Sequence, residues 1–348
     1  GLEFSMEFLA GNRISGTTAE KDTLQAVTGG WKELGRVTAS VGEVTGLADK
    51  RYLMVLGHHI QGSGNSGLGL QFNGDTGSNY PRRYSANGGS DATPTSETNI
   101  FFDTNGSTVS GKEWFTTMYI ANKSDKEKLG IYHSTFNRNG LGSGQHPHRQ
   151  EGVFKWTNTS DSISSIKFSD FNGTAMNSAS EVVVLGWDPS DTHSTNFWEQ
   201  LASVNASGSS TNLSSGTITA KKYLWVQVYA NDTSSLGFQF NNDTGSNYAR
   251  RWSYNGGTDG TSVSQSSMNI PAGVDKTFTN MFIINNSAYE KLCIGHDAYI
   301  NGSGAGNDPE RAENVGKWAN TSAQITEIDV NKTGNFDSDS FIKVWGSN

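Results

Sequence analysis

Leu70-Gln-Phe-Asn-Gly-Asp-Thr-Gly-Ser-Asn-Tyr80, continued as Pro-Arg-Arg-Tyr-Ser-Ala-Asn-Gly-Gly-Ser-Asp91, reappears downstream as Phe238-Gln-Phe-Asn-Asn-Asp-Thr-Gly-Ser-Asn-Tyr248 and Ala-Arg-Arg-Trp-Ser-Tyr-Asn-Gly-Gly-Thr-Asp259. Outward from this block the matches keep their order. Lys50-Arg-Tyr-Leu-Met-Val55 answers Lys221-Lys-Tyr-Leu-Trp-Val226, Glu127-Lys-Leu-Gly-Ile-Tyr-His133 answers Glu290-Lys-Leu-Cys-Ile-Gly-His296, and Lys155-Trp-Thr-Asn-Thr-Ser160 answers Lys317-Trp-Ala-Asn-Thr-Ser322. A collinear series at a shift of about 165 residues reads as a tandem duplication of a domain-sized unit, too long for a solenoid repeat. The expected units are 31–188 and 198–348, joined by a polar linker over 189–197 that holds Pro189.

Each unit is written with a period of two. In Lys222–Tyr229, Tyr223, Trp225, Gln227 and Tyr229 face one way, and Leu224, Val226 and Val228 face the other. Asn-Gly, Gly-Ser-Gly and Asp-Thr-Gly breaks separate such runs, and amphipathic helical periodicity is hard to find. The fold expected is all-β: two tandem homologous antiparallel β-sandwich, jelly-roll-like domains. Composition agrees. Hydrophobic residues make up 34% and charged residues 17%, with 41 glycines, yet aromatics stay at 11%, which a disordered chain would have lost.

Several function classes drop out. A net charge of -8 lacks the basic footprint of a nucleic-acid binder, so no nucleic-acid partner is expected. No apolar run approaches the length of a membrane-spanning helix, so no span is expected. A single cysteine, Cys293, rules out an intramolecular disulfide and reads as a core filler. Residues 1–5 read as a cloning scar, with Met6 as the native start. Nothing after Met6 has the charged and apolar regions of a signal peptide, so export by the general secretory route is not expected. Residues 6–30 have no counterpart before the second unit and read as an N-terminal arm that docks on a neighbour or on the partner domain.

The motifs carry two readings each. Asn73, Asp75 and Asn79, with Asn241, Asp243 and Asn247, form either a hairpin turn capped by its own side chains or a loop for Ca2+; one carboxylate per loop is thin for calcium. Arg82-Arg83 and Arg250-Arg251 put one arginine of each pair inward or onto an interface, where it needs a carboxylate such as Asp75, Asp91 or their copies. Their second reading is a clamp for acidic sugars, with Tyr84 and Trp252 as stacking platforms. Arg149, Glu151 and Lys155, matched by Arg311, Glu313 and Lys317, read as a solvated charge ladder. His146 and His148 are spaced as metal ligands, with Asp308 and Glu310 at the second copy's positions, and read first as free surface histidines. Trp31, Trp198, Trp156 and Trp318 are assigned to the core. No catalytic residue and no cofactor beyond the candidate Ca2+ are assigned, since neither a nucleophile elbow nor a nucleotide loop is present.

The block Phe72-Asn-Gly-Asp-Thr-Gly-Ser-Asn-Tyr80, with its following Arg83, resembles β-sandwich modules that recur in structural proteins of marine phages and archaeal viruses. So does the opening Ala10-Gly-Asn-Arg-Ile-Ser-Gly-Thr17 followed by Gly29-Gly-Trp31. The resemblance implies a tail, fibre or capsid-decoration component, assembled in a host cytoplasm and resident in the virion. It would be a homo-oligomer, with a trimer as the expected state, bound to other virion proteins. The alternatives are a carbohydrate-binding or adhesin module pair that is extracellular or reads a cell-surface glycan, and, further behind, a polysaccharide-active enzyme. Two similar surfaces serve avidity better than catalysis.

Overall fold

The computed structural model describes residues 30–38, 42–62, 67–102, 111–137, 140–170, 176–192, 195–231, 235–270, 276–300 and 302–348. The expected arm and scar lie outside them, apart from Gly30. The described residues hold strands and no helix. The first half contains β1 (Lys32–Thr38), β2 (Gly42–Val44), β3 (Tyr52–Ile60), β4 (Leu68–Phe72), β5 (Arg82–Ala86) and β6 (Ile100–Phe101). It continues with β7 (Glu113–Ala121), β8 (Lys128–Phe136), β9 (His148–Trp156), β10 (Ile166–Asp170) and β11 (Glu181–Trp187). A seven-stranded sheet, β1-β11-β3-β7-β8-β9-β5, lies over a four-stranded one, β2-β10-β4-β6.

The second half contains β12 (Glu199–Asn205), β13 (Asn212–Ser214), β14 (Tyr223–Asn231), β15 (Leu236–Phe240), β16 (Tyr248–Tyr254) and β17 (Gly260–Gln265). β18 (Met268–Ile270), β19 (Lys276–Ile284), β20 (Lys291–Ile300), β21 (Pro309–Trp318), β22 (Ile328–Asn331) and β23 (Phe341–Ser347) complete it. Its sheets are β12-β23-β14-β19-β20-β21-β16-β17 and β13-β22-β15-β18. The order is that of the first half with β17 added at one edge, and the neighbouring strands pair antiparallel. From β1 to β6 successive strands cross between the two layers, as they do in a jelly roll.

The period of two becomes burial. Leu224, Val226 and Val228 enter the second core beside Phe238, Phe240 and Trp318, and Cys293 fills a gap there as expected. β3 departs from the pattern, because Leu53-Met-Val-Leu56 is apolar on both sides. Leu53 and Val55 face the first core, whereas Met54 and Leu56 join a third cluster with Phe115, Val183 and Leu185. That third cluster is completed by Tyr223, Phe282, Ile284, Leu292, Ile294 and Val315 of the second half. The two large sheets therefore pack on each other, and a strand buried on both faces must be apolar on both. Trp156 and Trp318 are core residues as expected. Trp31 and Trp198 are not: both are half-buried and lie against the edge of the third cluster.

Candidate functional site

The repeated words turn out to hold each sandwich together. The Asp75 carboxylate accepts from Gly77 N at 2.8 Å, Asn79 Nδ2 at 2.9 Å and, across the loop, Trp156 Nε1 at 2.7 Å. Asp243 repeats the set with Gly245, Asn247 and Trp318 at 2.9, 2.9 and 2.7 Å. Asn73 and Asn241 adopt left-handed backbone at φ 51 and 53, and their Oδ1 atoms cap the amides of Ser164 and Ser165, and of Thr326 and Glu327. Lys128 and Lys291 then reach the carbonyls of Asn158 and Asn320 at 2.9 and 2.7 Å. The candidate calcium loop forms a turn whose side-chain oxygens accept from donors within the loop and from neighbouring segments of the same sandwich. Among the described residues no group of three or more His, Cys, Asp or Glu is placed to hold a metal.

Burial pushes the Asp75 and Asp243 carboxyls up, but the indole, amide and backbone donors outweigh it and hold both below the ordinary value. A depressed carboxylate stabilises the fold above its unfolded pKa and stops doing so as pH falls through its folded one. Trp156→Phe keeps the ring and removes the donor to a charged acceptor. It is expected to lower the unfolding free energy by about 2 kcal/mol at neutral pH in urea titration, with a smaller loss near pH 3.

The expected pairing with a carboxylate is corrected for Arg82 and Arg250 and holds for Arg251. Arg82 does point inward, yet it donates to the Phe101 carbonyl at 2.7 Å and lies 4.4 Å over the Tyr84 ring instead of meeting a carboxylate. Arg250 likewise donates to the Asn269 carbonyl and lies 3.8 Å over Trp252, and Gly260 packs against that indole. On the opposite face of the sheet Arg83 meets Asp91 in solvent, whereas Arg251 is buried against the first half and meets Asp259, the pairing expected of an arginine that faces an interface. One face of the Tyr84 ring and one face of the Trp252 ring are therefore taken by a guanidinium.

The charge ladder is solvated only in part: Lys155 and Arg311 are exposed, whereas Arg149, Glu313 and Lys317 are buried. Arg149 is buried at the junction of the halves, bidentate to Asp259 of the second half, with Nη2 to Oδ1 at 2.7 Å, and it also reaches Glu151. Gly88, at φ 71, lies so close that a Cβ there would meet Asp259 at 2.5 Å. His133 and His296, matched in sequence, meet ring to ring with 2.8 Å between Nδ1 and Nε2. Lys317 is buried against Glu290 at 3.0 Å, and Glu290 also accepts from Asn137 Nδ2 at 2.9 Å. His146 and His148, read as free surface histidines, lie here too: His146 faces Arg251 at 3.2 Å and His148 faces Asn87 at 2.8 Å.

One face of the first large sheet stays open. Its floor is Leu129, Ile131 and Val153; Trp31, Tyr52, Tyr119 and Trp187 form its walls, and Arg82, Arg83 and Lys155 border it. The open groove encloses about 840 Å³. Tyr52 stacks on Trp187 at 5.5 Å, and Trp31 tilts against Tyr119 at 6.2 Å. The same positions in the second half are Leu292, Ile294 and Val315. They are 0%, 1% and 1% exposed, against 60%, 63% and 46% for Leu129, Ile131 and Val153. The second groove is filled by the first sandwich; among the described residues nothing fills the first. Of the ligand-binding candidates read from the sequence, only Arg82 and Arg83 border this groove.

No protein-family model matches the chain, and no curated protein matches it. Among solved structures, domains LG4-5 of the mouse laminin alpha1 chain are similar over 91% of this chain and 88% of theirs, at 9% identity and a TM-score of 0.17.

Proposed function

We propose that the protein is a non-enzymatic structural component of an assembled particle. On the resemblance of the residue 72–83 block, that particle is a virion, with the chain on its surface as a tail, fibre or capsid-decoration part. The observation that supports this is the groove. Among the described residues an apolar trough that in one half of the chain is filled by a folded sandwich is open in the other, and a contiguous exposed apolar patch of this kind marks an interaction surface. The strongly shifted acids and bases, which would mark a catalytic site, lie elsewhere. His58 and Glu113, 3.2 Å apart, are buried at the junction, and Asp297 is buried and held by Thr279 and Asn314.

A second reading has one observation in its favour: four aromatic walls could stack sugars, as an adhesin would require. The aliphatic floor favours a protein partner, because a sugar needs hydrogen-bonding groups where Leu129, Ile131 and Val153 supply none. A glycan array decides between them. The assembly reading expects silence from the intact chain. Binding that falls tenfold or more in Tyr119→Ala and Trp187→Ala would replace it with the adhesin reading.

A further inference from the structure

We propose that the open groove of the first half seats a second copy of this chain, and that the face filling it is the outer side of that copy's second sandwich along β14, β19 and β23. The inference rests on the assembly reading and names its partner. Within one chain, the surface that fills the second groove is made by Met54, Leu56, Phe115, Val183 and Leu185. The second sandwich carries Trp225, Gln227, Phe278, Lys343 and Trp345 at those positions. Phe278 is exposed and the other four are half-buried, so this face is not sealed as its first-half counterpart is. Beside it Tyr229 stacks on Phe341, and Trp225 packs on Trp345 with ring centres 4.8 Å apart.

Among the described residues each chain has therefore made the contact once internally and retains one empty groove and one open filling face. Repeating the internal contact between chains uses both. The contact joins two different surfaces, so it runs head to tail, closing into a ring or extending as a filament according to its rotation. The chemistry suits it. The open face is rich in Trp, Tyr and Phe, the residues enriched in protein interfaces, and the groove has an apolar floor. The rim pair Lys155–Glu127 is exposed at 2.8 Å. Its counterpart Lys317–Glu290 is the pair that the docked first sandwich covers, and Asn137 and Gly142 satisfy Glu290 there.

Light scattering from about 1 to 100 μM, a range that spans ordinary interface affinities, tests this. The intact chain is expected to grow in mass with concentration. Ile131→Glu and Phe278→Glu, both at exposed positions, should each stay monomeric with unchanged unfolding midpoints; Leu129→Lys and Phe341→Glu serve if either fails to fold. Mixed in equal amounts, the two variants should form a one-to-one dimer that grows no further, since each retains one intact surface. A monomeric intact chain overturns the proposal, as does a Phe278→Glu variant that associates like the intact chain, which would mean groove against groove. A monomer with a silent glycan array refutes the second copy alone. Array hits dependent on Tyr119 refute the assembly reading beneath it.

Discussion

Lys317→Met is expected to destabilise the protein by about 3–5 kcal/mol, while Lys155→Met at the matching position changes stability by less than about 1 kcal/mol. The local sequences are the same, Lys-Trp, and the pairing distances are close, 3.0 Å to Glu290 and 2.8 Å to Glu127. The surroundings differ. The Lys317 side chain is 0% exposed and that of Lys155 41%. Removing Lys317 leaves the Glu290 carboxylate buried and short of a cation, a penalty that water cannot relieve. Removing Lys155 leaves a solvated glutamate. A double variant, Lys317→Met with Glu290→Gln, should recover most of the loss, since it removes both buried charges together. Urea unfolding of the four proteins measures this. Equal losses at the two lysines would mean that the first sandwich does not cover the second groove.

Stability is expected to fall steeply with acidification between about pH 6.5 and 4.5. Burial holds His58, His59, His133, His146 and His296 below the usual histidine value, with His59 at about 3 and His296 at about 4. Neighbouring Lys222 adds to the effect at His58, His296 at His133 and Arg251 at His146. For a depressed histidine the unfolded chain takes up the proton first. Its contribution is therefore full above the unfolded pKa of about 6.5 and is lost as pH falls toward the folded value. Three carboxyls oppose this. Burial raises Glu113, Glu313 and Asp297, the last to about 7, so the folded state holds their protons while the unfolded chain has released them. The depressed histidines outnumber the raised carboxyls, so unfolding takes up protons on balance in this window and stability falls as pH falls.

His59 gives the cleanest single test of that slope. It stacks on Phe168 at 4.7 Å, and neither ring nitrogen has a hydrogen-bond partner among the described residues. His59→Leu should flatten the pH dependence by about one proton, or about 1.4 kcal/mol per pH unit. Unfolding midpoints across the window report it; an unchanged slope would place the proton uptake on other groups.

Much of the fold was legible because alternation along a strand is local. The reading of Lys222–Tyr229 follows from adjacent residues alone, and Leu224, Val226 and Val228 are buried as it requires. The two loop words were legible as turns for the same reason, since Asn73 and Asn241 need only their own left-handed backbone. The partner of Asp75 was not, because Trp156 lies 81 residues away and no spacing rule links them. Arg149 was misplaced for a related reason. Its position on a strand face is local, but that face is covered by another sandwich, and only tertiary structure supplies Asp259.

The groove is the sharpest case. Glu127-Lys-Leu-Gly-Ile and Glu290-Lys-Leu-Cys-Ile are nearly the same words, yet Leu129 and Ile131 are open and Leu292 and Ile294 are sealed. Nothing within either strand distinguishes them. The difference lies in what docks on top. A trace was available in the apolar residues on both sides of β3 at Leu53-Met-Val-Leu56, which a sheet with one solvated face would not carry.

Cysteine labelling at the two grooves tests this most directly. The native thiol, Cys293, is buried and its ionisation is pushed up, so it should stay silent in the folded protein. In dilute solution Ile131→Cys is expected to react with a thiol reagent at close to the rate of a free cysteine, whereas Ile294→Cys reacts only on unfolding. At high concentration Ile131→Cys should become protected in its turn as a second chain fills the groove. Equal reactivity at the two positions in the folded, dilute protein would contradict the packing of one sandwich on the other, and with it the reading of the open groove as an assembly surface.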